Sequence, residues 1–171
     1  MATDISTTDQ KDKTRVHYRR FHNIFLYLTE RCQLRCGHCY MGARLNRGMQ
    51  LSVDDARWII QSCRRLGAEY ITFLGGEPTL YQELPTVVSF ANECGYKQVM
   101  IDTNGLLPSA ILAIPPDLFY YVTVDLDGAS AATHDRVRGV GTFAQTVDSI
   151  RRFVEHGYRV GALKDEVECP I

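Results

Sequence analysis

The sequence of 171 residues lacks any apolar run of the roughly 20 residues that a helix needs to cross a lipid bilayer. The opening segment, MATDISTTDQKDKTRVHYRR, has no hydrophobic signal core, so we expect a cytoplasmic protein without a secretory signal. An excess of one charge is also missing, because 19 basic side chains oppose 20 acidic ones. This balance excludes the strongest electrostatic reasons to expect nucleic acid or a membrane surface as a partner.

What the sequence does contain is typical of one globular domain. Its hydrophobic content is 45% and its charged content 23%, and its length fits a single folded unit. We predict a polar, flexible tail over residues 1–21 and a folded domain over residues 22–171.

Strand and helix patterns alternate along that domain. Apolar runs predict strands at 25–29, 70–74, 98–101, 120–124 and 158–163. Helical stripes lie between them, one opened by Ser52 and another by a capping box of Thr142 and Gln145. This alternation predicts an α/β fold with a parallel sheet and right-handed crossovers. The polar motifs follow the strands, at the edge where such sheets bind ligands.

The first of these motifs is a trio of cysteines, Cys32, Cys36 and Cys39, at the spacing C-x3-C-x2-C. Thiolates bind iron–sulfur clusters, and three of them leave one iron of a cubic 4Fe–4S cluster without a protein ligand. A zinc site with His38 as fourth ligand is one alternative. A ferredoxin-type cluster is another, although no further cysteine lies at a recognised spacing.

Four motifs in order carry a family resemblance. They are CQLRCGHCY at 32–40, GGEP at 75–78, TNG at 103–105 and DLDG at 125–128. Together they resemble the radical S-adenosylmethionine (radical SAM) superfamily, in the branch that includes peptide-maturing and SPASM-type enzymes. The resemblance implies a partial (β/α) TIM-like barrel of parallel strands. About four to five of the expected six β/α units are present, so residues 22–171 are expected to form a C-terminally incomplete core domain.

The resemblance also implies two cofactors, a 4Fe–4S cluster and SAM. The implied cluster ligands are Cys32, Cys36 and Cys39. The implied SAM-binding residues are Gly75, Gly76, Glu77, Pro78, Asn104, Asp125 and His38. Asn104 and Asp125 could instead serve the substrate or the turns in which they lie, and Asp125 stands where the family usually has serine. His134, Asp135 and Arg138 are interpreted either as substrate contacts or as a local hydrogen-bonded network.

The implied activity is reductive cleavage of SAM to a 5′-deoxyadenosyl radical, which abstracts hydrogen from a substrate. We expect a precursor peptide in natural-product maturation, with a small metabolite such as a nucleoside or sugar as the alternative. Flavodoxin or ferredoxin is the expected reductant. A further hypothesis is a truncated, catalytically inactive homologue or partner protein.

Overall fold

A computed structural model describes residues 22–163, so the tail predicted at 1–21 and the segment 164–171, with Cys169, lie outside the described residues. Five parallel strands form one sheet in the order β1-β2-β3-β4-β5. The strands are β1 Asn23–Tyr27, β2 Tyr70–Leu74, β3 Gln98–Thr103, β4 Tyr121–Asp125 and β5 Val160–Leu163. The helices are α1 Val53–Arg65, α2 Leu84–Glu93, α3 Pro108–Leu112, α4 Ala131–Arg138 and α5 Thr142–Glu155.

Helices connect successive strands, as the predicted α/β fold requires. Alternate strand residues such as Ile24, Phe73 and Ile101 are buried in one core with Ile60 of α1 and Phe153 of α5. The opposite face of the sheet is more open, since Phe25 in β1 lies on it. One covered face and one open face are what a partial barrel presents. No helix in residues 22–163 is long and apolar enough to cross a membrane.

Strand β1 begins two residues earlier than predicted and ends at Tyr27. The chain beyond it stays ordered, because Leu28 donates to the Leu74 carbonyl at 2.9 Å and Thr29 forms an antiparallel bridge with Gln50. The segment 28–31 is therefore held on both sides. This position brings the cysteine loop that follows to the carboxyl edge of the sheet.

The region after β4 differs most from the prediction. Residues 131–138 form α4, a helix that was not predicted from the sequence. The predicted capping box of Thr142 and Gln145 is wrong, because Gly141 caps α5 with a positive φ of 83°. The Asp135 carboxylate instead accepts hydrogen bonds from the amides of Gly141 at 2.7 Å and Phe143 at 2.8 Å. A residue of α4 thus satisfies the first amides of α5.

Candidate active site

A cavity of about 420 Å³ lies at the carboxyl ends of β1 to β4. Its size falls within the usual range for small-molecule sites. Nine of the ten predicted site residues line it: Cys32, Cys36, His38, Cys39, Gly75, Gly76, Glu77, Asn104 and Asp125. Pro78 is the exception, since it is buried and begins a 3₁₀ turn at 78–80. The sheet edge therefore brings the four motifs together, as the carboxyl ends of parallel strands should.

The three cysteines are free thiols, each partly buried at the cavity wall. Asn46 fixes the first of them, because its side chain accepts from the Cys32 amide at 2.9 Å and donates to the Cys32 carbonyl at 3.0 Å. Burial raises the pKa of the Cys32 thiol to about 11, and the charges of Glu77 and the other thiols act in the same direction. A bound cation would supply the positive charge that the thiolate form needs.

The three thiols line one cavity without converging on a single metal position. Within residues 22–163, no three His, Cys, Asp or Glu side chains stand close enough to coordinate one metal ion. Zinc draws its ligands to one centre, so the zinc alternative with His38 finds no support here. A cubic cluster instead takes its thiolates on separate iron atoms. Three thiols around one cavity fit that donor pattern.

Gly75 and Gly76 are needed because the segment after β1 passes directly over them. A Cβ on Gly75 would lie 2.7 Å from the Thr29 carbonyl oxygen, and one on Gly76 would lie 2.5 Å from that of Arg31. The Gly76 amide donates to the Thr29 carbonyl at 2.7 Å. The family resemblance implies that these two glycines bind SAM. The structure adds a second reason, which is backbone contact beside the cysteine loop.

Glu77 is buried, and its carboxylate connects two strand ends. One oxygen accepts from the Thr79 amide at 3.1 Å, the Thr79 hydroxyl at 2.6 Å and the Thr103 hydroxyl at 2.7 Å. The other oxygen accepts from the Asn104 amide at 2.8 Å. Burial raises the pKa of this carboxyl, while the hydrogen bonds oppose the shift. Glu77 thus joins the turn after β2 to the turn after β3. Its implied role in binding SAM stays a prediction.

Asn104 is buried and combines turn chemistry with a contact to the first cysteine. Its side-chain oxygen accepts from the Leu106 amide at 3.0 Å and from Gln33 at 3.2 Å. This fixes the amide orientation, because a backbone N–H can only donate. The side-chain nitrogen consequently faces Cys32 Sγ at 3.9 Å. Asn104 therefore stabilises the turn in which it lies, as the alternative interpretation proposed, and it also lines the cavity.

Asp125 and His38 both belong to a charged group around Arg138. Arg138 donates to Asp125 at 3.0 Å and also binds Asp127, whose carboxylate lies 3.2 Å from His38 Nε2. Burial would lower the pKa of Arg138, but the two aspartates outweigh it and raise that pKa. His134 is buried, and its Nδ1 accepts from the Asp127 amide at 3.2 Å. The network interpretation of the region 134–138 is thus visible in the structure.

Two further polar wall residues, Asp102 and Tyr40, lie outside the set of predicted site residues. Asp102 lines the cavity from β3, and burial, together with the charge of Asp125, raises the pKa of its carboxyl. Its place directly before the TNG motif, alternating with buried Ile101, was the available signal. Tyr40 also lines the cavity, donates to the Gly75 carbonyl at 3.4 Å, and meets the Tyr27 ring edge-on at 6.1 Å between centroids.

A parallel α/β sheet with three free thiols and a glycine turn on one cavity is typical of a protein that binds a cofactor through cysteine ligands. The comparison with known families makes this specific. Residues 26–166 match the Radical SAM superfamily. The chain belongs to this superfamily.

Its relatives include enzymes with different names. Fe-coproporphyrin III synthase of Methanosarcina barkeri is 35% identical over 138 residues, which is 78% of this chain and 34% of that protein. PqqA peptide cyclase of Rhodopseudomonas palustris is 34% identical over 131 residues, covering 75% of this chain and 35% of the relative. The solved structure of Streptococcus suis SuiB bound to its precursor peptide SuiA superposes with a TM-score of 0.72 at 22% identity, over 82% of this chain and 32% of SuiB.

These findings confirm the predicted family, with peptide maturases among its relatives, and the predicted partial-barrel fold class. They also confirm the radical SAM enzyme class and the cofactor pair, a 4Fe–4S cluster and SAM, as those of the family. The chain spans about a third of the length of the two curated relatives described above. The residue roles, the reductant and the cytoplasmic location stay predictions.

Proposed function

We propose that this chain forms the catalytic core of a radical SAM enzyme that modifies a precursor peptide. The observation that carries the proposal is the convergence of three free thiols and a buried glycine-rich turn on one cavity. Neither the three thiols nor the glycine-rich turn alone would distinguish a cofactor site from residues with a purely structural role. Their meeting at the carboxyl edge of a parallel sheet supports the family's chemistry in this chain.

The residues divide the work between the two cofactors. Cys32, Cys36 and Cys39 would hold the cluster and leave one iron open to SAM. The turn at 75–77, whose backbone is fixed by the segment after β1, lines the same cavity and would hold SAM. Asp125, at the end of β4, offers a carboxylate to a ribose hydroxyl or to the substrate.

When bound, the cluster supplies the electron that cleaves SAM into methionine and a 5′-deoxyadenosyl radical, which takes a hydrogen atom from the substrate. The protein's own task is to orient these partners and exclude water. Tyr40 stands at the cavity wall with its hydroxyl on the Gly75 carbonyl, and it is 69% exposed, so it could contact the substrate. An external flavodoxin or ferredoxin would deliver the electron.

The peptide assignment draws on two observations. A relative that is 34% identical is named PqqA peptide cyclase. In addition, Phe25 and Tyr27 of β1 are 58% and 43% exposed on the open face of the sheet. Tyr27 touches Tyr40 at the cavity, so an aromatic surface leads towards the site. Aromatic faces of this kind suit a peptide, because they bury much apolar area with little loss of freedom.

A small metabolite is the second candidate for the substrate. The observation that favours it is a relative named GTP 3′,8-cyclase, of Pasteurella multocida, which is 27% identical over 146 residues. To separate the candidates, the loaded protein is incubated with SAM, reductant and either GTP or a synthetic peptide encoded beside the gene. A mass change in the peptide supports the first candidate. A new GTP-derived product, separated by chromatography whether or not its mass differs from that of GTP, supports the second.

The activity itself is tested by anaerobic reconstitution with iron and sulfide, followed by dithionite reduction in the presence of SAM. We expect 5′-deoxyadenosine from the unaltered chain and none from Cys36→Ala. Cys94→Ala is the matched control, because Cys94 lies at the end of α2, outside the cavity, and this variant should keep the activity. A folded, cluster-loaded chain that leaves SAM intact would contradict the proposal and favour the inactive homologue.

A further inference from the structure

The cysteine loop is joined to α4 through its backbone. The Gly37 amide, between the second and third cysteines, donates to the Val137 carbonyl at 3.0 Å. Val137 lies in the last turn of α4, where carbonyls have no partner within the helix. The loop therefore uses an acceptor that the helix itself leaves available. One backbone hydrogen bond would not hold a glycine-containing loop by itself.

Side chains add a second connection at the same place. His38 Nε2 lies 3.2 Å from Asp127 Oδ1. The Asp127 carboxylate also accepts hydrogen bonds from Nε and Nη2 of Arg138, the second at 3.3 Å. The third guanidinium nitrogen donates to Asp125 at 3.0 Å. The chain of contacts thus runs from the loop through the turn after β4 to α4. We call His38, Asp127 and Arg138 the loop latch.

The inner part of the latch is shielded from water. The side chains of Arg138 and Asp127 are 7% and 6% exposed, while that of His38 is 41% exposed. Burial opposes ionisation of Asp127, but the hydrogen bonds and charges of Arg138 and His38 hold its pKa below its usual range. The Asp127 amide is also fixed by buried His134. A buried, multiply bonded pair of this kind favours one geometry, and removing one partner leaves the other charge uncompensated.

Arg138 also stands at the cavity wall beside the second cysteine. Arg138 and Cys36 line the same cavity, so the guanidinium charge lies near the thiols that would hold the cluster. A guanidinium near a cluster thiolate stabilises negative charge, and the charge around a cluster is one of the terms that set its reduction potential. The same residue can therefore influence both the shape of the loop and the electronics of what the loop binds.

We propose that Arg138 is a positioning residue that holds residues 36–39 in their cluster-binding shape before any cluster is bound. The cofactor then meets a loop that is already ordered, so less ordering entropy opposes binding. The role of the latch in cluster binding rests on the proposed function, whereas its effect on the order of the loop does not depend on that function. This effect can be measured on the metal-free chain.

The test is hydrogen exchange followed by mass spectrometry on the full metal-free chain, read at a peptide spanning residues 33–40. Arg138→Gln is expected to speed exchange there about tenfold or more, because a hydrogen bond to a charged group commonly contributes at least that factor. Arg136→Gln is the matched control, since Arg136 is an exposed residue of the same helix. Arg138→Lys should lie between the two, as an ammonium cannot bridge both aspartates in the same way.

A second variant keeps the test decisive if Arg138→Gln fails to fold. His38→Ala removes a half-exposed side chain at the outer end of the latch, and it should speed exchange at 33–40 while leaving a β3 peptide unchanged. Equal exchange at 33–40 in the unaltered chain and in both latch variants would overturn the proposal.

The loaded protein offers an independent reading. The midpoint potential of the cluster, titrated by electron paramagnetic resonance, should be lower in Arg138→Gln than in Arg136→Gln, because a nearby positive charge is lost. An unchanged potential would contradict the electronic part of the proposal. Failure of the unaltered chain to load a cluster would contradict the proposed function, whereas the exchange result on the metal-free chain would still decide the latch.

Discussion

Replacing Glu77 by glutamine tests whether this carboxylate holds the two strand-end turns together. Its two oxygens accept four hydrogen bonds, from the Thr79 amide and hydroxyl, the Thr103 hydroxyl and the Asn104 amide. All four partners donate, so a side chain with only acceptors suits the position. Glutamine keeps the shape but must present an NH₂ group to one side or the other.

The cost follows from that mismatch. With the glutamine oxygen towards Thr79 and Thr103, its NH₂ group faces the Asn104 amide, and a buried donor loses its acceptor at about 1–3 kcal/mol. The three remaining hydrogen bonds also weaken, because the acceptor is no longer charged. Relief of the buried charge offsets part of this loss. We expect a net destabilisation of about 2–4 kcal/mol.

Thermal unfolding of the metal-free chain, followed by circular dichroism, measures the effect. In a protein of this size, 1 kcal/mol corresponds to roughly 2–4 °C, so the midpoint should fall by about 4–16 °C. Glu83→Gln is the matched control, because Glu83 is an exposed carboxylate in the same turn region and should change stability by under about 0.5 kcal/mol. A Glu77→Gln midpoint equal to that of the control would refute the reasoning.

Three further substitutions have defined outcomes. Gly76→Ala places a Cβ 2.5 Å from the Arg31 carbonyl oxygen and should lower stability by about 3 kcal/mol in thermal unfolding. Thr146→Val removes the hydroxyl that donates to the buried Asn104 carbonyl at 3.1 Å. This substitution should lower the free energy of unfolding by about 1–2 kcal/mol. Burial keeps the pKa of His134 in the folded protein below its usual 6.5. Neutral, buried His134 therefore contributes fully to the free energy of unfolding above about pH 6.5, and this contribution is lost as the pH falls from 6.5 towards the folded-state pKa. Urea unfolding at about pH 7.5 and 5.5 should therefore show a smaller pH effect in His134→Asn.

Each of these has a control or a contradicting result. Gly37→Ala has no atom within 4 Å of the added Cβ and should melt near the unaltered chain. An unchanged midpoint in Gly76→Ala would show that the crowding argument is wrong. For Thr146→Val, the contradicting result is a stability equal to that of the parent. His156→Asn controls for loss of an exposed imidazole, and an equal pH effect in His134→Asn and the parent would exclude the His134 explanation.

Much of the site follows from the order of motifs along the chain. Apolar runs located the five strands to within about two residues, the usual limit for element ends. Because parallel strands share one carboxyl edge, Cys32, Glu77, Asn104 and Asp125 could be expected around one cavity, and they line it. The prediction that these residues lie close together therefore rests on one rule, that the carboxyl ends of parallel strands meet at one edge of the sheet.

The contacts around those residues could not be predicted, because they join parts of the chain far apart in sequence. Gly76 is crowded by Arg31, and Glu77 accepts from Asn104, 27 positions away. Helix α4 was missed because its eight residues are mostly polar and show little apolar periodicity. The capping-box pattern misled because Asp135 supplies the acceptors for α5 from outside that helix.

The central claim is that Cys32, Cys36 and Cys39 hold a cluster with one iron open to SAM at this cavity. Electron paramagnetic resonance of the reconstituted, reduced chain, recorded with and without SAM, tests it most directly. The account predicts a 4Fe–4S signal that changes shape when SAM is added, and that is lost when any one of the three cysteines is replaced by alanine. A 4Fe–4S signal that SAM leaves unaltered would contradict it.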